Sequence, residues 1–419
     1  MLQLVHMLME IIMNNKKHLK AQNGLIIGID DKKNYYYADG YQHILLMAPT
    51  GAGKGVSFVI PNLLSWQESA IIHDIKSENY FITSGWRASQ GQKIYMFDPL
   101  NTEGKTHCYN PLDFISSNPD QMVDDIGKIA HILIPDHDFC HSQERSLFIA
   151  LTLLVMANPK KTKSFGEIFR ILAGDLTEEL SVAVNKLNLH KVGKILINSF
   201  LHQAPQECSS IASSLASHLE LWGNQLIDQA TSKSDFNPAN FKVEKSTLYV
   251  GVHPSDIDRL KPLMQFFYQH VAQVLTKKSQ ESEKETHGVL MLLDDFPTLG
   301  RMDFFTTCIP YFRGYKVRLA IMAQDLNHIQ TSYCDKGTNT ILSNSSFKIA
   351  FTTNHYETAN LISNLSADKI SWQKIMSLPS DKQVILVDNE EVLISQKLHY
   401  FNIPEFKNKV MTPVNLKFK

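Results

Sequence analysis

The sequence has few of the features that mark secreted, metal-binding or membrane-spanning proteins. It holds five cysteines in 419 residues, and no two of them form a C-x-x-C pair. This scarcity argues against a disulfide framework or a cysteine-rich metal site, and it favours a reducing compartment. No apolar run reaches the roughly 20 residues that cross a bilayer. We therefore expect a globular protein that folds without such scaffolding.

The N-terminal residues 1–13 are apolar but are interrupted by Gln3, His6 and Glu10. They lack the basic start and the small-residue cleavage site of a secretory signal peptide. The pattern predicts a short amphipathic or buried helix. The remnant of a longer membrane anchor is the alternative.

An excess of charge of one sign is also missing. Lys and Arg number 41 and Asp and Glu number 42, which gives a formal net charge of −1. Without a global positive field, any contact with nucleic acid has to be local. Hydrophobic residues make up 43% and charged residues 20% of the chain, which is typical of soluble globular proteins, and the length allows two or three domains.

A glycine-rich loop between a predicted strand and a predicted helix is the motif around which the chain is organised. The apolar run 43–47 precedes this loop, and apolar residues follow it from Val56. Backbone N–H groups at such a helix N-terminus suit a phosphate chain, and Lys54 would supply a charge for the β- and γ-phosphates. The residues predicted to bind nucleotide are Pro49, Thr50, Gly51, Ala52, Gly53, Lys54 and Gly55.

The loop departs from the P-loop pattern G-x-x-x-x-G-K-[ST] at two positions. Ala48 replaces the first glycine, which is tolerable where φ is not positive. Gly55 replaces the hydroxyl residue that normally holds Mg²⁺, so water or a carboxylate has to take its place. On these residues alone, a structural turn between strand and helix is the alternative to nucleotide binding.

Short apolar strands alternate with helices around the loop, which indicates an α/β fold with a mainly parallel sheet of seven or eight strands. Residues 24–30 and 34–38 predict a hairpin ahead of the P-loop strand. The predicted strands 70–74 and 93–98 end in Asp74 and Asp98, which parallel strands would bring to the ligand edge of the sheet. Turn chemistry is the alternative for both aspartates, and it is favoured at Asp98 because Pro99 follows.

From about residue 119 to residue 235 the pattern predicts helices only. Residues 147–157 predict a buried helix, and Ser164 and Asp175 are predicted N-caps. His131, His137 and His141 invite a metal-site interpretation, but they lack helical i, i+4 pairing. We therefore do not expect a metal site there.

A second strong motif lies far downstream, where the apolar run 289–293 ends in Asp294 and Asp295. This is typical of the central strand of a P-loop ATPase, with Asp294 as the Mg²⁺ ligand and Asp295 orienting or deprotonating the attacking water. An acidic turn at the end of a buried strand is the alternative. The usual second residue is Glu, and Asp295 is shorter by one CH₂. A misplacement of a catalytic group by about 1 Å lowers the rate by about 10²-fold, so we also consider slow hydrolysis.

Three further polar residues are candidates for the same site. Gln324 is the last residue of the predicted core strand 318–324, where it either senses the γ-phosphate or is an ordinary strand-end amide. Arg313 and Arg318 are candidates for a cation that stabilises the transferring phosphate across a subunit boundary, with plain surface charges as the alternative.

Taken together, these motifs resemble the type IV secretion coupling ATPases of the TraG and VirD type. The similar stretches extend from about residue 43 to about residue 401, which is nearly the whole chain. They are A-P-T-G-A-G-K-G at 48–55, V-I-P-N-L-L at 59–64, H-D-I-K-S-E at 73–78, F-D-P at 97–99, N-P-L at 110–112, A-T-S-K-S-D-F at 230–236, D-D-F-P-T-L-G at 294–300, R-G-Y at 313–315 and L-P-S-D at 378–381.

The resemblance implies a RecA-like motor domain with an inserted all-α domain, ATP and Mg²⁺ as cofactors, and a homo-hexamer around a central channel. It implies a place at the cytoplasmic face of the bacterial inner membrane, where relaxosome-bound single-stranded DNA or effector proteins pass to inner-membrane components of a type IV secretion system. Family members carry N-terminal transmembrane helices, which this sequence lacks. We therefore expect this chain itself to be soluble and its membrane association to depend on the missing anchor.

Three segments are predicted on this basis. Residues 1–118 hold the N-terminal segment and the first half of the RecA-like domain, residues 119–235 the all-α domain, and residues 236–419 the second RecA-like half. The predicted function is a coupling ATPase that recruits substrates and delivers them to the secretion channel. The alternatives are a weakly hydrolysing or inactive nucleotide-binding receptor and an FtsK-type DNA pump.

Overall fold

The computed structural model of the chain describes residues 24–135, 139–277, 284–388 and 390–418. The predicted helix at residues 1–13 and the candidate ligand His137 lie outside these residues. Internal contacts divide the chain into two compact units. The sheet unit comprises the described residues up to Tyr95 with Ala239–Lys261 and Leu275–Leu416, and the helical unit comprises Met96–Pro238, Pro262–Val274 and Lys417–Lys419.

Within the described residues, one sheet contains eleven strands, more than the seven or eight predicted. The strands are β1 Leu25–Ile29, β2 Tyr35–Ala38, β3 Ile44–Met47, β4 Ser69–Ile75, β5 Lys93–Phe97, β6 Ser246–Val252, β7 Val289–Leu293, β8 Val317–Ala323, β9 Phe347–Phe351, β10 Lys382–Val387 and β11 Glu391–Gln396. Their order is β2-β1-β11-β10-β9-β3-β8-β7-β4-β6-β5. The predicted hairpin β1–β2 is confirmed, and it joins the sheet through β11.

Six neighbouring strands, from β9 through β3, β8, β7 and β4 to β6, run parallel. Met47 lies opposite Ala323, and Leu293 lies opposite His73. The carboxyl ends of β3, β8, β7 and β4 therefore meet at one edge. Every residue of β3, β7 and β8 is buried, which explains their continuous apolar sequences.

Residues Pro262–Val274 of the helix Ile257–Thr276 belong to the helical unit. The other described residues of the unit contain seven α-helices, as the pattern predicted for 119–235. They are α3 Pro119–Leu133, α4 Phe139–Ala157, α5 Phe165–Ala173, α6 Leu176–Lys186, α7 Lys191–Leu201, α8 Pro205–His218 and α9 Gln225–Ala230. The predicted caps are confirmed: Ser164 accepts a hydrogen bond from the backbone N–H of Glu167, and Asp175 accepts one from Glu178. The Phe165 ring packs edge-on against Trp222 at the centre of this unit, with ring centroids 5.0 Å apart.

The contacts of the helical unit extend beyond the segment 119–235. The backbone N–H of Tyr109 donates to the carbonyl of Ala230 at 2.9 Å, and the N–H of Asp235 donates to the carbonyl of Cys108 at 3.0 Å. These bonds tie part of the segment before residue 119 to the helices. The predicted boundaries at 118 and 235 stay a prediction.

The remaining helices flank the strands in the sequence. They are α1 Ile60–Ser65, α2 Glu78–Ser89, α10 Ile257–Thr276, α11 Asp303–Phe312, α12 Leu326–Asn344 (interrupted at Cys334, where φ is 51°), α13 Tyr356–Leu365, α14 Trp372–Met376 and α15 Pro404–Lys407. None of the described helices combines the length and the apolar composition that a bilayer crossing requires.

Candidate functional site

The glycine-rich loop leaves β3 in the conformation that its sequence predicts. Gly51 and Gly53 have φ values of 76° and 91°, which residues with a Cβ adopt only at a cost in free energy. The Ala48 N–H donates to the carbonyl of Ala323 at 3.0 Å, and the Ala52 N–H donates to that of Pro49 at 3.1 Å. Ala48 is not among the residues with positive φ, so the missing first glycine does not disturb the turn.

The first helical turn after the loop is a π-helix over Gly55–Val59 rather than the predicted α-helix. The Ile60 N–H donates to the carbonyl of Gly55, and the α-helical pattern begins only with α1. Pro61 has no N–H to offer the preceding turn, and the Asn62 side chain donates to the carbonyl of Phe58 at 2.8 Å. The wide turn leaves open space at Gly55, since a Cβ built there meets nothing within 4 Å.

Lys54 and the carboxylate pair converge as the sequence predicted. The Lys54 Nζ lies 2.8 Å from Oδ1 of Asp295, which is 241 residues away along the chain. The lysine side chain is 10% exposed and that of Asp295 is 26% exposed, so the pair is reachable from solvent. Asp295 has a φ of 46°, and Asp adopts this left-handed conformation more readily than most residues do.

Asp294 lies beside this pair, directly after β7. Its Oδ1 accepts a hydrogen bond from the backbone N–H of Asp295 at 3.0 Å. Burial, and after it the charge of Asp295, raise the pKa of Asp294 to about 6, and the charge of Lys54 opposes this rise. His73, at the end of β4, is fully buried, and burial lowers its pKa to about 4. The site therefore brings two adjacent carboxyl groups next to the Lys54 ammonium.

Asp74 reaches the same edge, but its oxygens already have partners. Oδ1 accepts from the backbone and side-chain nitrogens of Asn79 at 3.0 and 2.9 Å, and Oδ2 accepts from the Tyr80 N–H at 2.8 Å. Asp74 thus caps the first turn of α2. Burial raises its pKa to about 7. Asp98 accepts from the Asn101 side chain at 3.0 Å, in agreement with the turn interpretation.

Gln324 and the two arginines end up in different places. Gln324 follows β8, the strand between β3 and β7, so it lies at the same edge as Lys54 and Asp294. The candidacy of Arg318 was wrong, because this residue is fully buried and its Nη1 donates to the carbonyls of Ala38 and Gly40 at 3.0 and 2.9 Å. Arg313 is exposed, and its role stays a prediction.

The C-terminal part of the chain supplies two contacts to the loop that sequence reasoning missed. The Lys397 Nζ donates to the carbonyl of Ala52 at 3.1 Å and lies 4.0 Å from the centroid of the Phe351 ring. The His399 Nδ1 lies 3.2 Å from Oγ of Ser57. No local motif marks either residue, since only the pairing of β11 with β10 brings this segment to the loop.

These donors fit a phosphate chain with a hard divalent cation. The loop offers glycine-flanked backbone N–H groups and the Lys54 ammonium, which suit phosphate oxygens. Asp294 and Asp295 offer carboxylate oxygens, which Mg²⁺ prefers. Because Gly55 brings no side-chain oxygen, water or a carboxylate such as Asp294 would have to hold the ion.

Comparison with known proteins identifies the family. Residues 8–369 match the family described as type IV secretory system conjugative DNA transfer. The chain is 33% identical over 336 residues to Protein VirD4 of Rhizobium radiobacter, covering 78% of this chain and 48% of that protein. It is 29% identical over 383 residues to Conjugal transfer protein TraG of Escherichia coli, covering 85% of this chain and 60% of that protein. The chain thus spans about half of VirD4 and three fifths of TraG.

Solved structures of a plasmid coupling protein, TrwB, share the fold. The complex of TrwB with the non-hydrolysable ATP analogue ADPNP gives a TM-score of 0.69 at 13% identity, covering 92% of this chain and 91% of that chain. The complex of TrwB with ADP and Mg²⁺ gives a TM-score of 0.66 at 14% identity, covering 85% of each. The likeness confirms the predicted fold class, a RecA-like P-loop core with a mainly parallel sheet and added helices.

The comparisons point to the same family as the sequence motifs. They do not favour the two alternatives, an inactive nucleotide-binding receptor and an FtsK-type DNA pump. The family match covers well over half of the sequence, and it includes the glycine-rich loop and the Asp294–Asp295 pair. The chain belongs to the type IV secretory system conjugative DNA transfer family.

Proposed function

We propose that this chain is an ATP-hydrolysing coupling protein that recruits substrates and delivers them to a type IV secretion channel. The observation that carries the proposal is the 2.8 Å contact of Lys54 with Asp295 at a sheet edge that also holds Asp294 and Gln324. Family membership supports it. So do the names of the relatives and the nucleotide complexes of TrwB.

Each site residue has a role in this proposal. The N–H groups of Pro49-Thr50-Gly51-Ala52-Gly53-Lys54-Gly55, apart from that of the proline, hold the phosphates of ATP, and the Lys54 ammonium balances the charge of the β- and γ-phosphates. Asp294 holds Mg²⁺, which would neutralise charge on the phosphate oxygens. Asp295 orients or deprotonates the attacking water, and Gln324 senses the γ-phosphate. When the Lys54 ammonium leaves Asp295 to bind phosphate, the Asp295 carboxylate becomes free to act on the water.

The partners follow from the family. We propose that the substrates are relaxosome proteins with single-stranded DNA, or effector proteins, and that the protein acts as a homo-hexamer with inner-membrane components of the secretion system. It would work at the cytoplasmic face of the inner membrane, with membrane association through an N-terminal anchor. The near-neutral charge of the chain, −1, means that DNA contacts have to be local.

Steady-state ATP hydrolysis tests the proposal. We expect Lys54→Ala and Asp294→Asn to lower kcat/KM by at least about 10²-fold, because each removes charge stabilisation of the transferring phosphate. Asp98→Asn is the matched control, since Asp98 also ends a strand but holds a turn, and we expect it to keep full activity. Tight ATP binding without turnover in the wild-type hexamer would contradict the motor and favour a nucleotide-binding receptor.

A further inference from the structure

The helical unit contains a buried carboxylate between two histidines. His141 and Glu144 lie three residues apart on α4, and His218 is the last residue of α8. The Glu144 side chain is 3% exposed, and that of His218 is 28% exposed. One ligand atom from each of the three side chains lies within 4.8 Å of the other two.

Glu144 stands out because a buried carboxylate needs compensation. Glu144 lies on the same helix as the apolar run 147–157, where residues such as Phe148 and Leu151 are fully buried. Its Oε1 accepts from Oγ of Ser214 at 2.7 Å, and its Oε2 lies 3.2 Å from Nε2 of His218. An ionised carboxylate in an apolar unit requires a paired positive charge. A divalent cation would supply that charge.

The imidazole rings of His141 and His218 lie next to this carboxylate and next to each other. Their centroids are 6.2 Å apart, and the ring planes are inclined by 62°. Two imidazoles with one carboxylate suit Zn²⁺ and its neighbours in the transition series, whereas Mg²⁺ and Ca²⁺ prefer oxygen ligands throughout. Zn²⁺ binds such ligands at about 2.0–2.2 Å, and the 3.2 Å between Oε2 of Glu144 and Nε2 of His218 lets one ion reach both atoms.

We propose that His141, Glu144 and His218 bind a divalent transition-metal ion of the zinc type. Water takes the fourth position on the open side, where His218 is partly exposed. The ion joins α4 to α8 across 74 residues of sequence, and it thereby stabilises the helical unit. The site is independent of the nucleotide site, and its existence does not depend on the function proposed above.

Metal binding by the full-length protein tests the proposal directly. The protein is stripped with a chelator and titrated with Zn²⁺ in excess Mg²⁺, and in parallel with Co²⁺, whose visible absorption reports tetrahedral nitrogen-containing coordination. We expect one Zn²⁺ per chain. We also expect His218→Gln and His141→Gln each to weaken binding by about 10²-fold or more, since loss of even an outer-shell partner lowers metal affinity by about 10- to 100-fold.

Two control variants separate this site from other binding. His202→Gln removes an exposed histidine at the C-terminal end of α7, whose Nδ1 bonds to the carbonyl of Asn198. Asp294→Asn alters the carboxylate pair at the nucleotide site. We expect both to keep the wild-type Co²⁺ spectrum. Circular dichroism of each variant without metal shows whether it folds. Glu144→Gln removes the buried ligand, and if that variant does not fold, His141→Gln, at a partly exposed ligand, is the informative variant. The proposal is overturned if the wild-type protein binds no Zn²⁺, or if both histidine variants bind it as tightly as the wild type.

Discussion

At the scale of single residues, the ion pair between Lys54 and Asp295 determines how the site meets its ligand. The two side chains neutralise each other at 2.8 Å, so an incoming phosphate has to compete with Asp295 for the lysine. Asp295 also sits in a left-handed backbone conformation. Asp tolerates this conformation well, which gives a physical reason for the shorter residue here.

We expect Asp295→Glu to raise kcat by roughly tenfold, because one added CH₂ brings the carboxylate closer to the attacking water. A displacement of a catalytic group by about 1 Å is enough to change the rate strongly. The measurement is steady-state ATP hydrolysis under saturating Mg²⁺. Asp295→Asn is the control that keeps the shape and removes the base, and its kcat should fall. An unchanged or lower kcat in Asp295→Glu would mean that the shorter carboxylate is already well placed.

His43 makes the stability of the sheet unit depend on pH in the acid range. Its Nδ1 accepts from the N–H of Leu319 at 3.1 Å and its Nε2 lies 3.0 Å from the carbonyl of Ile309, so the neutral ring satisfies both partners. Burial lowers the pKa of His43 to about 4. A histidine with a lowered pKa in the folded state stabilises the fold above its ordinary pKa, and this stability is lost as the pH falls towards the folded value.

We therefore expect the unfolding free energy of the sheet unit to fall by about 2 kcal/mol per such histidine between about pH 6.5 and about pH 4.5. Hydrogen exchange of the β8 amides at several pH values measures it. His43→Gln should reduce this pH dependence, whereas the exposed His202→Gln should leave it as in the wild type. A pH dependence that survives His43→Gln in full would assign the effect to other groups.

At the scale of elements, the π-helical turn after the loop leaves a position where a side chain can be added. We expect Gly55→Ser and Gly55→Ala both to fold, because a Cβ at residue 55 meets nothing within 4 Å. Only serine adds the oxygen that P-loops use for Mg²⁺. Calorimetric titration with ADP should therefore show several-fold tighter Mg²⁺-dependent binding for Gly55→Ser than for Gly55→Ala, and equal affinities would show that the hydroxyl does not reach the ion.

The strands that the sequence predicted most clearly are those buried along their whole length. Strands such as Val289–Leu293 are buried on both faces, so their apolar runs are unmistakable. Strand Glu391–Gln396 was missed because most of it is only partly buried and its pattern is mixed. The π-turn at Gly55–Val59 was missed because its apolar pattern is the same as that of an α-helix. Arg318 was misjudged because its side chain is buried and its Nη1 donates to backbone carbonyls that no sequence pattern reveals.

At the scale of the whole molecule, the P-loop depends on chain segments far downstream. The convergence of Lys54 with Asp295 could be predicted because each residue lies in a local motif. Lys397 and His399 could not be, because their contacts with Ala52 and Ser57 span 345 and 342 residues. Only the assembled sheet brings these residues to the loop.

We expect Lys397→Met to weaken binding of ADP with Mg²⁺ by about tenfold. A charge-assisted hydrogen bond to the loop is worth about 1.5–3 kcal/mol, and the packing of the methionine side chain offsets part of this loss. Ligand-induced shifts in the unfolding midpoint measure this, since a ligand at about 100 times its Kd stabilises by about 2.7 kcal/mol. The exposed Lys407→Met is the matched control. Equal shifts in both variants would show that Lys397 does not position the loop.

This long span has a consequence during protein synthesis. A ribosome adds about 5–20 residues per second, so roughly 20–70 s separate the emergence of Ala52 from that of Lys397. Throughout that interval the nascent loop lacks one of its anchors. We therefore expect full nucleotide affinity only after Lys397 has been translated and has reached the loop.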